Sequence, residues 1–105
     1  MKTNGEKNDI PALIARAPRT TGVYLWKDGR GTILYAGKAI DLRARLRNYL
    51  GSDLPERIYQ MTQAADTVEW ITTQNAKEAL LLEASIVKKN QPRYNVKLKD
   101  DKRYP

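Results

Sequence analysis

Tyr24 and Tyr35 each end or open a short run that also holds a glycine, Gly22-Val23-Tyr24 and Tyr35-Ala36-Gly37. Lys38 follows at once, then Asp41-Leu42-Arg43-Ala44-Arg45-Leu46-Arg47-Asn48-Tyr49. Phenols, an ammonium and guanidinium groups gathered this closely suit the handling of a phosphate. An arginine fork donates two parallel hydrogen bonds to such a group. A phenol, with an ordinary pKa of about 10, becomes useful in proton chemistry beside a cation or a metal-bound water. Arg45 and Tyr49 are four apart and share one flank of the helix predicted there. Each residue also has a plain structural reading. The arginines fit a solvated face, Tyr49 a core position, Tyr24 and Tyr35 strand packing, and Gly22 and Gly37 a turn, a bulge or a close backbone approach.

Glu83 is the sharpest single residue. On a helical wheel Ala76, Ala79, Leu80, Ile86 and Val87 all fall within about 60° of it. Lys77, Glu78, Ser85, Lys88 and Lys89 make the polar face. A carboxylate centred on an apolar stripe needs a cation, a hydrogen-bond donor or an opening to solvent. Metal binding, catalysis and a bridge to an arginine or a backbone N–H all satisfy that need.

Composition narrows the chemistry. The 105 residues contain no Cys and no His. Disulfides and thiolate zinc sites are excluded, and the chain suits a reducing compartment such as the cytoplasm. The commonest general base and transition-metal ligand is missing too. Proton transfer would fall to Tyr, Lys, Asp, Glu or water, and a metal would be held by oxygen, as Mg²⁺ or Mn²⁺ is. The net charge is +7, unevenly spread. Residues 27–49 carry six Lys/Arg against two Asp, and residues 86–105 seven against two. Residues 50–85 carry two basic and six acidic side chains. Two basic segments around an acidic middle fit a patch that meets a polyanion. No run approaches the ~18 apolar residues of a membrane span, and the polar opening Met1–Asp9 is expected to fray.

The elements that must position these residues follow from period and punctuation. Asp9 and Pro11 start a short helix over 10–17, which Pro18 ends. Residues 23–27 and 32–37 read as two strands joined by Asp28-Gly29-Arg30-Gly31, a hairpin. Asp41 caps a helix ending near Gly51, with Leu42, Leu46, Tyr49 and Leu50 as its stripe. Asp53 is expected to cap another, with Ile58, Met61 and Ala65 inward. Residues 67–73 read as a third strand. A long helix over 75–90, apolar around most of its circumference, is expected to lie across the core until Pro92 stops it. The expected fold is α/β: a small three-stranded, largely antiparallel sheet flanked by helices.

At this point Gly22-Val23-Tyr24, Tyr35-Ala36-Gly37-Lys38 and Leu42–Leu50 together resemble the GIY-YIG nuclease family. The run Glu78–Lys89 with Pro92-Arg93-Tyr94-Asn95-Val96, Lys99-Asp100 and Tyr104-Pro105 is similar to its UvrC branch, at the N-terminal domain. Ala36 departs from the usual Ile of the second motif, a packing change that removes no reacting group. The resemblance implies a GIY-YIG fold over 18–105, after an extension and short helix over 1–17, expected to be excised from a larger multidomain protein. It implies divalent-metal-dependent hydrolysis of a DNA phosphodiester, with the incision 3′ to a lesion in bacterial nucleotide excision repair. Tyr35 would be general base or water-orienting group, with Tyr24 and Tyr49 lining the site and Gly37 beside it. Lys38 would hold the phenol or water in its reactive state, and Arg45 would clamp the scissile phosphate. Glu83 would be the sole protein ligand of one Mg²⁺ or Mn²⁺, and Asn95 would help order the substrate or metal shell.

The partners so implied are DNA, contacted independently of sequence, and UvrB within a UvrA–UvrB–DNA complex reached through a full-length subunit. The isolated domain would be monomeric. Two other readings are a stand-alone or UvrC-like nuclease acting outside that complex, and a nucleic-acid-binding module without catalysis. Intact Tyr35, Arg45 and Glu83 weigh against the last.

Overall fold

A computed structural model describes residues 8–95. The basic tail beyond Asn95, and Val96, Lys99, Asp100, Tyr104 and Pro105 of the motif pattern, lie outside the described residues. The elements are α1 (Ile10–Ala15), β1 (Gly22–Lys27), β2 (Ile33–Ala39), α2 (Leu42–Arg47), a 3₁₀ turn (Asn48–Leu50), α3 (Glu56–Ala64), β3 (Thr67–Thr72) and α4 (Ala76–Asn90).

The sheet is antiparallel throughout, in the order β2-β1-β3. The central strand β1 is buried on both faces. Tyr24 and Trp26 enter a core with Ile14, Leu42, Leu46, Met61, Ala65 and Val68. Val23 and Leu25 meet Ala36 and Ala79 on the other side, under α4. The α1–α2–α3 layer and α4 therefore sandwich the sheet, and β1 reads as an unbroken apolar run. Ile14 and Ala17 lie in the first core, so α1 packs into the domain rather than trailing from it.

Helix starts follow the expected caps in most places. The Asp9, Asp41 and Asn75 side chains accept hydrogen bonds from the N–H groups of Ala12, Ala44 and Glu78. Each satisfies a donor that a helix start leaves open. At α4, Glu78 also reaches back to the Gln74 N–H at 2.6 Å, in the manner of a capping box. Gln91 closes α4 in the left-handed region, with φ 48°, and Pro92 follows.

Three expectations need correction. Asp53 caps nothing: the N-cap position of α3 is Pro55, which has no side-chain cap. The helix after Asp41 is α-helical only to Arg47 and tightens into the 3₁₀ turn, a common way for a helix to finish. And α4 packs against the second core along one side only, so it is not buried around its circumference. Only Ala79 is fully buried, Leu82, Ile86 and Val87 pack partly, and Leu80 and Leu81 are 48% and 60% exposed. A sheet covers one side of a helix only, so an apolar circumference must leave some residues in solvent.

Candidate active site

The hairpin carries Tyr24 and Tyr35 to the same side of the sheet, because Tyr24 pairs with Gly37 and Trp26 with Tyr35 and cross-strand partners share a face. Gly37 is what makes room. A Cβ there would collide with the Oη and Cζ of Tyr24 and lie 2.9 Å from its Cε1. Gly22 is equally constrained: a Cβ would strike the Ile71 carbonyl and sit 2.8 Å from Leu42 Cδ1. Both glycines are therefore close-approach positions. The α1–α2 contacts and the buried Leu42 and Leu46 dock α2 over that face, and the 3₁₀ turn delivers Tyr49.

The result is a cluster of three phenols and one guanidinium. Tyr24 Oη and Tyr49 Oη are 2.7 Å apart. Arg45 Nε donates to Tyr24 Oη at 3.5 Å. The rings of Tyr35 and Tyr49 have centroids 6.5 Å apart at 62°, and those of Tyr24 and Tyr49 5.7 Å apart at 69°, both edge-to-face geometries. Trp26 packs behind Tyr49, at 5.2 Å between centroids. Burial, and then the neighbouring Tyr24, push the Tyr49 phenol well above its ordinary pKa. Burial first, and Tyr24 second, raise Tyr35 as well. Both phenols thus stay protonated at neutral pH, as donors that also accept. The hydrogen bond to Tyr24 raises Arg45 further, so it is a permanent cation.

Arg45 and Asn48, one turn apart, form a sill between two cavities. One, of about 540 Å³, is bordered by Lys38, Ile40, Asp41 and Ala79. The other, of about 210 Å³, is bordered by Tyr35, Tyr49, Leu54, Pro55 and Ile58. Asn48 was missed in the sequence, although its position three residues after Arg45 placed it on the same face.

Lys38 pairs with Val23, which packs under α4. It therefore projects from the sheet face opposite the phenols. Among the described residues no hydrogen bond joins it to Tyr35; it is exposed and borders the larger cavity with Arg45.

Glu83 is half-buried on α4. Its carboxylate has no hydrogen bond or ion pair among the described residues, yet its charge contributes to raising the pKa of Tyr35. No group of three or more potential metal ligands exists among the described residues. A half-buried carboxylate with no partner among the described residues is a group that could hold a cation, with water completing its shell.

Asn95 has a definite structural task. Its Oδ1 accepts from the Ala36 N–H at 3.0 Å and its Nδ2 donates to the Ala36 carbonyl at 2.9 Å. The Tyr94 N–H adds a bond to the Leu34 carbonyl at 3.0 Å. The segment after α4 thus binds the free edge of β2 directly behind Tyr35.

Residues 20–96 match the family model of the UvrC-like GIY-YIG domain. The chain is 49% identical over 89 residues to the UvrABC system protein C of Treponema denticola, covering 85% of this chain and 14% of that protein. It is 48% identical over 103 residues to the protein of the same name from Haloarcula marismortui, covering 95% and 18%. The chain thus spans less than a fifth of the length of these relatives. Among solved structures it resembles the GIY-YIG N-terminal endonuclease domain of UvrC from Thermotoga maritima, bound to its catalytic divalent cation, magnesium. The TM-score is 0.79 at 41% identity, over 86% of this chain and 99% of that one. The same domain has been solved with single Tyr→Phe and Asn→Ala substitutions, each with its divalent cation.

Proposed function

Since this chain belongs to the UvrC-like GIY-YIG domain family, we propose that it makes the incision 3′ to a lesion as the endonuclease domain of a UvrABC-type excision-repair system. Its full-length protein would work in the cytoplasm with UvrB and DNA. The observation that carries the reading is Arg45. Its Nε is held by Tyr24, while neither Nη is hydrogen-bonded by the described residues. A fork anchored at its base and free at its tip is arranged for a phosphate.

The geometry supports the following division of labour. Arg45 binds the scissile phosphate and offsets the charge that builds on its oxygens as water attacks phosphorus and the P–O bond to the leaving strand breaks. Tyr35, kept protonated by burial, orients the attacking water through its hydroxyl; the phenolate that could accept a proton is scarcely populated at neutral pH. Tyr49 and Tyr24 fix Arg45 and Tyr35 relative to each other. Lys38, turned to the larger cavity, attracts the anionic strand rather than activating a phenol. Asn95 holds β2, and so Tyr35, in place. Glu83 would hold one divalent cation, which supplies Lewis acidity toward a phosphate oxygen and an acidified water.

A plasmid-nicking assay with Mg²⁺ or Mn²⁺ tests this with Glu83→Gln. Nicking should fall below detection while the melting temperature moves by no more than about 3 °C, since no partner is left unpaired. Loss of a structural bridge would instead cost roughly 3–5 kcal/mol. A variant that melts far lower, or one that still nicks, rejects the assignment. Placement of the cut is read with a lesion-bearing duplex and the full set of partner proteins.

A further inference from the structure

A second cavity, of about 330 Å³, lies between the 3₁₀ turn and α3 and reaches Tyr59. It has Tyr49 and Leu54 as walls in common with the cavity beside Tyr35 and Arg45. The second cavity is bordered by no charged side chain. Its outer wall is Tyr59, 49% exposed, and Leu50, 48% exposed; its inner wall includes Trp26, whose indole N–H is buried without a protein partner. Singly exposed apolar residues are ordinary. Here an aromatic and a leucine converge on one concave surface, next to the cavity that Arg45 borders, in a chain of net charge +7.

We propose that this trough is a subsite for one unstacked nucleobase, that of the nucleotide next to the phosphate held by Arg45. The inference rests on the reading of Arg45 as phosphate clamp. A sugar-phosphate backbone has nothing to bury against Leu50, Leu54 and Tyr59. A base has two flat apolar faces and a polar edge. Tyr59 offers a stacking face, and the Thr62 hydroxyl, which already donates to the Tyr59 carbonyl at 2.7 Å, retains lone pairs for a base N–H. The volume is of the size that small-molecule sites use. Stacking of this kind tolerates every base, so it agrees with sequence-independent contact. The two sides of Arg45 then differ in kind. Toward Lys38 and Asp41 the strand would meet charge and water, and toward Tyr59 it would lose one base from its stack.

The test is an NMR titration of the 105-residue chain, without divalent metal so that nothing is cut. The probes are dithymidine monophosphate and the same sugar-phosphate dinucleotide with both bases replaced by hydrogen. Both should shift the Arg45 Nε–H resonance. Only the base-bearing probe should shift the Trp26 indole N–H and the Tyr59 ring. Tyr59→Ala, and separately Leu50→Asn, should weaken the base-bearing probe by about 5- to 100-fold and leave the abasic probe unchanged. If Arg45 responds but Trp26 and Tyr59 do not, or if both variants bind both probes as the parent does, the base subsite is refuted while the phosphate reading stands. If Arg45 responds to neither probe, the phosphate reading fails and the subsite fails with it.

Discussion

Tyr24 and Tyr49 are hydrogen-bonded hydroxyl to hydroxyl across 2.7 Å, and Tyr24 is fully buried. Ionising Tyr49 means placing a phenolate against the core. The pKa of Tyr49 is raised by burial first and by Tyr24 next, and that of Tyr35 likewise. A raised pKa means that the folded state holds its protons where the unfolded chain has begun to release them. The contribution to stability is therefore fully present below the ordinary phenol value of 10.0 and is lost as pH rises beyond it. We expect urea midpoints to be flat to about pH 9 and to fall above about pH 10. Tyr49→Phe should fall less steeply there. An equal slope in the variant would mean that another group governs the alkaline limb.

Arg45→Lys should preserve the fold and lose activity. Arg45 is exposed, so its removal leaves no cavity. A lysine cannot both anchor at Tyr24 and fork around a phosphate. The expected fall in turnover is on the order of 10²–10³-fold, the range for removing one preorganised donor to a developing charge. Single-turnover nicking at saturating metal measures it. Full activity in the lysine variant would show that only positive charge is used.

Gly37→Ala tests the fit of Tyr24. The added carbon would overlap a ring that is itself fully buried and tied to Tyr49 and Arg45. Overpacking of this sort costs typically 1–3 kcal/mol. Gly51→Ala, where the nearest atom is Asn48 O at 3.5 Å, is the control and should be nearly silent. Thermal melts of the two variants side by side should differ by roughly 5–20 °C for a domain this size.

Asn95→Asp separates a backbone-holding role from a metal-shell role. The amide both accepts from and donates to Ala36. A carboxylate can only accept, and would set a negative oxygen against the Ala36 carbonyl. We expect Asn95→Asp to be less stable than Asn95→Ala, by about 1–2 kcal/mol at neutral pH. A residue whose main task is a cation would give the reverse, with tighter metal binding in the aspartate. Calorimetric titration of Mg²⁺ into both variants reads that second outcome.

Much of this arrangement was legible in the chain. Tyr24, Tyr35 and Tyr49 could be placed because a hairpin and a capped helix have short-range signals, and the same signals put Arg45 beside them. The face of Lys38 was not legible. Tyr35 to Lys38 is three steps along a strand, an odd number, and only the observed pairing with Val23 reveals the side it takes. The duty of Asn95 was hidden for a different reason: it bonds a residue 59 positions away, and nothing local marks that. On α4 the wheel found Ala79, Ile86 and Val87 but could not tell that Leu80 and Leu81 would face water, since that depends on how wide a sheet lies beneath. The cavity toward Tyr59 belongs to the same class, because its walls come from α1, β1, the 3₁₀ turn and α3 and exist only once these have packed.

Because β1 is apolar on both faces, hydrophobicity alone is a poor guide to which of its residues should point where. A slip of one position, which in a half-buried strand would drive apolar residues into water, would here merely exchange Val23 and Leu25 for Tyr24 and Trp26. Shape supplies the missing information. Gly37 is the notch into which the Tyr24 ring fits, and Gly22 a second where Leu42 and the β3 backbone close in. A bulkier partner opposite Tyr24, or a tyrosine moved one place along, finds no notch. The two glycines therefore act as alignment pins for the hairpin, and the alignment they enforce is the one that sets Tyr24, Tyr35 and Arg45 around a common point.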